Sequence, residues 1–163
     1  MTIYGGQKKE SGARLVVKRI VIDPGHGGRD PGASAGGLAE KDIVLDISRR
    51  VVQKLSAYEV DVALTRNEDA YIGLKERADL ANGIPAEFFL SIHCNAGGGE
   101  GFESYIHPEA SSGAQSIRGS LHRDLAGFFQ GQNLADRGMK AADFAVLRLT
   151  KMPAVLLELL FID

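Results

Sequence analysis

The segment Ile20-Val-Ile-Asp-Pro-Gly-His-Gly-Gly-Arg-Asp-Pro-Gly-Ala33 constrains the fold more than any other stretch of the chain. Its β-branched run, Ile20 to Ile22, reads as a short strand buried on both faces, which demands a layer of structure on each side. Pro24, Gly25, Gly27 and Gly28 then stop the strand in a tight loop. His26 is therefore presented at a strand end, where function usually sits. An imidazole there could be a metal ligand, a general base or a turn residue, and this segment alone leaves all three open.

The same design recurs downstream. Glu87 to Asn95 is nearly continuously apolar and runs into Gly97-Gly-Gly99, and Ala154 to Phe161 is the most hydrophobic strand candidate. Val60 to Thr65 and Gly101 to Ile106 alternate as strands do, and Phe144 to Arg148 reads as a further short strand. Between them lie helical patterns: Glu40 to Leu55, with Ile43, Val44, Ile47, Val51 and Leu55 on one stripe, then Leu74 to Asn82, then Ser111 to Phe129. Strands alternating with helices predict an α/β fold, a three-layer α/β/α sandwich around a twisted, largely parallel mixed sheet.

At 163 residues the chain is the size of one domain. Residues 1–17 read as a polar lead-in or linker remnant without the apolar core of a signal peptide, leaving 18–163 as the folded domain. The chain ends at Asp163 directly after its most apolar strand, so a C-terminal covering helix is expected to be missing. A net charge of −2 argues against nucleic acid as a partner. No apolar run approaches the roughly 18 residues that would insert into a membrane. The single cysteine, Cys94, excludes an intramolecular disulfide framework and reads as a small buried thiol without chemistry.

In an open α/β sheet, ligands gather beyond the carboxyl ends of the strands. His26 follows the first strand, His93 lies near the end of another, Glu40 opens a helix and Glu158 lies within the last strand. Two imidazoles and one carboxylate, with a fourth position open, form the ligand set of a catalytic zinc. Their long separations in sequence argue against a zinc finger and against a helical His-Glu-x-x-His motif. Glu158, flanked by leucines, is costly to bury unless it is paired or functional, the plain alternative being a solvated strand face.

Five ordered segments carry a resemblance: Val21 to Ala33, Gly37-Leu-Ala-Glu-Lys41, Leu90-Ser-Ile-His-Cys-Asn-Ala96, Gly101-Phe-Glu-Ser-Tyr-Ile106 and Pro153-Ala-Val-Leu-Leu-Glu158. Together they closely resemble the zinc-dependent N-acetylmuramoyl-L-alanine amidases of the type-3 family, from residue 18 to 163. The resemblance implies one Zn2+ held by His26, Glu40 and His93, with Glu158 as the catalytic glutamate. It implies hydrolysis of the amide joining N-acetylmuramic acid to L-alanine in peptidoglycan, at the bacterial cell wall, in wall turnover, spore release or phage lysis. Asn95 or Arg66 is a candidate oxyanion donor. Arg66 and Arg77 match family arginines that serve as readily in structural ion pairs as in substrate contacts. Asp23 is a candidate acceptor orienting His26, and the loop glycines are read as keeping bulk away from the metal. His107 and His122 match no ligand and read as surface or packing residues. Leu159 and Leu160 depart from the family's smaller or polar pair and should raise the carboxyl pKa of their neighbour. The chain is expected to be a monomer with peptidoglycan as its partner and a separate wall-binding domain as a further possibility. The competing readings are a stem-peptide metallopeptidase and a non-catalytic, zinc-containing wall-binding fragment.

Overall fold

The computed structural model describes residues 2–4 and 18–163. Nine strands and four helices follow in order: β1 Thr2–Tyr4, β2 Lys18–Pro24, β3 Ser34–Ala35, β4 Leu38–Ala39, α1 Glu40–Leu55, β5 Val60–Leu64, α2 Leu74–Asn82, β6 Phe88–Asn95, β7 Phe102–Ile106, α3 Ser112–Gln130, β8 Asp136–Ala141, α4 Ala145–Leu149 and β9 Ala154–Phe161. Seven strands form one sheet in the order β1-β5-β2-β6-β9-β7-β8, and β3 and β4 form a separate hairpin. The β2–β5, β2–β6, β6–β9 and β7–β8 pairs are parallel, whereas β1–β5 and β7–β9 are antiparallel. The expected mixed, largely parallel sheet is present.

Alternating side chains of the central strands feed two cores. On one face Ile22, Val62, Leu64, Leu90, Ile92, Val155 and Leu157 pack with Val44 and Val52 of α1 and Ala114 and Ala126 of α3. On the other, Val21, Ala63, Phe89, Ala154 and Leu156 pack with Ala81 of α2 and Val146 and Leu147 of α4. The strands are apolar on both sides because helices cover both sides. Helix α1 carries Glu40 and Asp42 in its first turn and Lys54 in its last, each favourable with the helix dipole. None of the described helices is long and apolar enough to cross a membrane.

The structure differs from the local reading of the sequence at several points. Phe144 to Arg148, expected as a strand, is the helical turn α4, with the Leu147 and Arg148 amides donating to the Phe144 carbonyl. So short a run has no periodicity long enough to separate the two states, and burial of Val146 and Leu147 with Ala81 of α2 in the second core decides for helix. Strand β8 was not expected, because Asp-Arg-Gly-Met-Lys-Ala lacks an apolar pattern; it is the edge of the sheet, where charge and a glycine are usual. The glycine loop after β2 contains the β3–β4 hairpin, whose turn residues Gly36 and Gly37 have φ of 58° and 81°, as a tight two-residue turn requires. Within the segment read as a lead-in, Thr2–Tyr4 pairs with β5 as an edge strand, and 5–17 lie outside the described residues.

Candidate active site

Three elements bring the expected ligands together at the carboxyl end of the sheet. His26 follows β2, Glu40 is the first residue of α1, and His93 is the sixth residue of β6. The Glu40 carboxylate lies between the two rings, Oε2 at 3.1 Å from His26 Nε2 and Oε1 at 2.9 Å from His93 Nδ1. One donor atom from each residue falls within 4.8 Å of the others, a group that can hold a metal ion. Glu40 is only 3% exposed. Burial works against its charge, but hydrogen bonds from His26, His93 and the Ala33 amide hold its carboxyl well below the usual carboxylate range. It is an ionised oxygen donor at neutral pH.

The backbone leaves little freedom in this arrangement. His26 itself has φ of 58°, a conformation uncommon for a residue with a side chain. A Cβ on Gly25 would run into the His93 ring, and one on Gly32, whose φ is 65°, would come within 2.5 Å of Glu40 Oε2. These two glycines therefore make room for the His93, Glu40 and His26 side chains themselves.

Around this group the supporting contacts differ from those expected. The His26 Nδ1 partner is Asp30, at 2.9 Å, and not Asp23. Asp23 is fully buried and accepts from Thr65 Oγ1 at 2.5 Å, Ser91 Oγ at 2.8 Å and Arg77 Nη1 at 2.8 Å. Its two oxygens are thus turned to β5, β6 and α2, leaving the ring to a carboxylate four residues along the loop. That carboxylate, within Gly-His-Gly-Gly-Arg-Asp, was the available signal in the sequence.

Arg66 and Arg77 are each 3% exposed. Arg66 donates to the carbonyls of Pro24, Gly25, Lys41 and Glu68. Arg77 donates to Asp23 and to the carbonyls of Pro24, His26 and Ile72. Both guanidinium groups are buried and hold backbone carbonyls of the loop that carries His26, Arg77 also lining a small cavity beside His26 and His93. Asn95 Nδ2 donates to Glu103 Oε1 at 2.7 Å, and its Oδ1 accepts from the Ala96 amide. His122 is a packing residue between Ser104 Oγ and Asp136, and His107 pairs with Asp143. Burial pushes the Cys94 thiol up to about 12, which keeps it protonated and inert.

Glu158 stands directly beside the ligand group: its Cα pairs with that of His93 on β6 and with that of Glu103 on β7. Its Oε2 is buried and has no hydrogen-bond partner among the described residues. Burial pushes its carboxyl up to about 7, the His93 ring opposing and Glu40 and Glu103 adding to the rise. A buried carboxyl with a free oxygen and near-neutral affinity for a proton is suited to taking and returning one. The register slips by one residue between His93 and Asn95, a bulge that sets Phe161 opposite Asn95.

A family model described as Amidase_3, N-acetylmuramoyl-L-alanine amidase, matches residues 20–163. The chain belongs to this amidase family. Among its relatives, the sporulation-specific N-acetylmuramoyl-L-alanine amidase of Bacillus subtilis (strain 168) is 46% identical over 147 residues, covering 89% of this chain and 56% of that protein. The endolysin of Bacillus phage SPP1 is 48% identical over 150 residues, covering 90% of this chain and 55% of that protein. The chain thus spans about half the length of these curated relatives. The crystal structure of N-acetylmuramoyl-L-alanine amidase from Clostridium difficile 630 superposes with a TM-score of 0.84 at 34% identity, covering 89% of this chain and 80% of that one. The catalytic domain of CwlV from Bacillus (Paenibacillus) polymyxa gives 0.78 at 35% identity, covering 88% and 80%.

Proposed function

We propose that the protein hydrolyses the amide between N-acetylmuramic acid and L-alanine of peptidoglycan, acting at the bacterial cell wall with one Zn2+ held by His26, Glu40 and His93. The observation that carries this reading is the placement of Glu158, with its unpartnered buried oxygen, on the strand beside a ligand group of two imidazoles and one carboxylate.

The donor set fits zinc, which takes nitrogen and oxygen ligands in this number and leaves a position open in catalytic sites. When bound there, zinc supplies Lewis-acid polarisation of the scissile carbonyl and acidifies a water. The chain supplies the rest. His26 Nδ1–H donates a hydrogen bond to Asp30, an arrangement that would fix the tautomer and leave Nε2 free to hold the metal. Glu40 keeps its charge under the combined pull of both rings. Glu158 takes a proton from the attacking water through its free oxygen and returns it to the departing L-alanine nitrogen, which leaves as an amine. Burial of the Glu158 carboxyl keeps its proton affinity raised, while the neighbouring Leu159 packs with the core on the opposite face of the sheet.

The test is product analysis on purified peptidoglycan. The reading predicts new free L-alanine amino termini, with Glu158→Gln losing turnover by about 10²–10⁴-fold, the range of general acid–base catalysis. Any other new amino terminus would make the protein a stem-peptide peptidase instead.

A further inference from the structure

One row of side chains leads away from the ligand group across the sheet. His93 on β6 pairs with Glu158 on β9, and Glu158 pairs with Glu103 on β7. The β7–β8 register shifts between Phe102 and Ser104, setting Arg137 and Gly138 against Glu103. Glu103 is 2% exposed, yet it is the hub of a network. Its Oε1 accepts from Tyr105 and Asn95, and its Oε2 accepts from Arg137 Nε at 2.8 Å and from Lys140 Nζ. Burial would raise its pKa, but Lys140, Arg137 and Tyr105 hold the carboxyl down at about 2. One buried negative charge thus holds two cations of β8, Arg137 and Lys140.

Arg137 is held in a particular attitude. Its Nε is engaged by Glu103, and its guanidinium lies over the Phe161 ring at 4.9 Å. Nη1 and Nη2 have no hydrogen-bond partner among the described residues, and the side chain is 37% exposed. That outer edge is the fork that matches a carboxylate with two parallel hydrogen bonds. With its rotamer set by Glu103 and Phe161, little side-chain freedom remains to be lost on binding.

We propose that the Nη edge of Arg137, supported by Lys140, is a subsite for a carboxylate of the stem peptide, and so a specificity determinant of the hydrolysis. This rests on the amidase reading above. Two strand spacings, about 10 Å, separate the Arg137 and Glu158 positions. An extended peptide covers roughly 3.3–3.6 Å per residue, so the carboxylate belongs to the second or third residue of the stem, counted from L-alanine.

The test uses soluble muramoyl tripeptides with the carboxylate at the second residue free or amidated, and separately with the C-terminal carboxylate free or amidated. The wild-type protein should show about a tenfold lower KM for the free form in one of the two pairs, with kcat little changed. In Arg137→Gln that discrimination should collapse towards one, and Arg137→Lys should recover only part of it. A wild type indifferent to amidation in both pairs overturns the proposal, and does so even if the variants fail to fold. Equal losses by Arg137→Gln on free and amidated substrates would also overturn it, assigning Arg137 to support of the sheet edge. A wild type that leaves the muramoyl–L-alanine amide intact in every substrate defeats the amidase reading itself.

Discussion

Replacing Arg77 by alanine separates the two roles open to it, brace and substrate contact. The side chain is 3% exposed, and its partner Asp23 is 1% exposed, with 2.8 Å between Nη1 and Oδ1. Removing one partner of a buried ion pair leaves an uncompensated charge and costs about 3–5 kcal/mol. The carbonyls of Pro24, His26 and Ile72 lose a donor at the same time, which places the expected loss towards the upper end. In a domain of this size each kcal/mol lowers Tm by about 2–4 °C, so Arg77→Ala should melt roughly 6–20 °C below the wild type. Urea denaturation should show the same loss as a lower midpoint with an unchanged slope. A cycle with Asp23→Asn should return a coupling of about 1–3 kcal/mol, because the pair is in contact. Stability within about 1 kcal/mol of the wild type, together with a raised KM, would refute the bracing role and make Arg77 a substrate contact.

Other consequences follow from the same geometry. Asp30→Ala should weaken metal affinity by about 10–100-fold, measured by competition with a chelator, since it removes the partner that orients His26. Gly32→Ala should lower both stability and metal content, because the added carbon meets Glu40 and His26 at a φ of 65°; metal analysis after gel filtration checks it. Glu103 has a carboxyl pKa held at about 2 in the fold, below its ordinary value of 4.5. Its depressed pKa contributes stability above about 4.5, on the order of 3 kcal/mol, which is lost as pH falls towards 2. The stability gap between wild type and Glu103→Gln should therefore narrow over that window in urea melts taken at several pH values.

The long elements were legible because their patterns are long. Helix α1 runs over Glu40–Leu55 as its apolar stripe and acidic first turn predict, and α2 occupies Leu74–Asn82. The three central strands could be read because sequences apolar on both faces have few alternatives once helices flank them. What sequence could not show was decided by neighbours far along the chain. Val146 and Leu147 are helical because that conformation seats both in the core with Val21, Phe89 and Leu156. Arg137 and Lys140 are brought to Glu103 by β8, an edge strand without an apolar period. The candidate ligands His26, Glu40 and His93 are legible by residue type and family order, but their supports are not. Asp23 and Asp30 both lie within four residues of His26, and only the side on which Thr65, Ser91 and Arg77 stand decides which carboxylate turns to the ring.

The most direct test of the central claim pairs metal stoichiometry with hydrolysis on one set of proteins. The wild type should hold one zinc per chain and release L-alanine amino termini from peptidoglycan, both abolished by chelation and restored by added zinc. His93→Ala should fold, as judged by circular dichroism, and lose both metal and turnover. Glu158→Gln should keep its zinc and lose turnover alone. Full hydrolysis by a metal-free protein, or by Glu158→Gln, would contradict the assignment of His26, Glu40, His93 and Glu158 to one reaction centre.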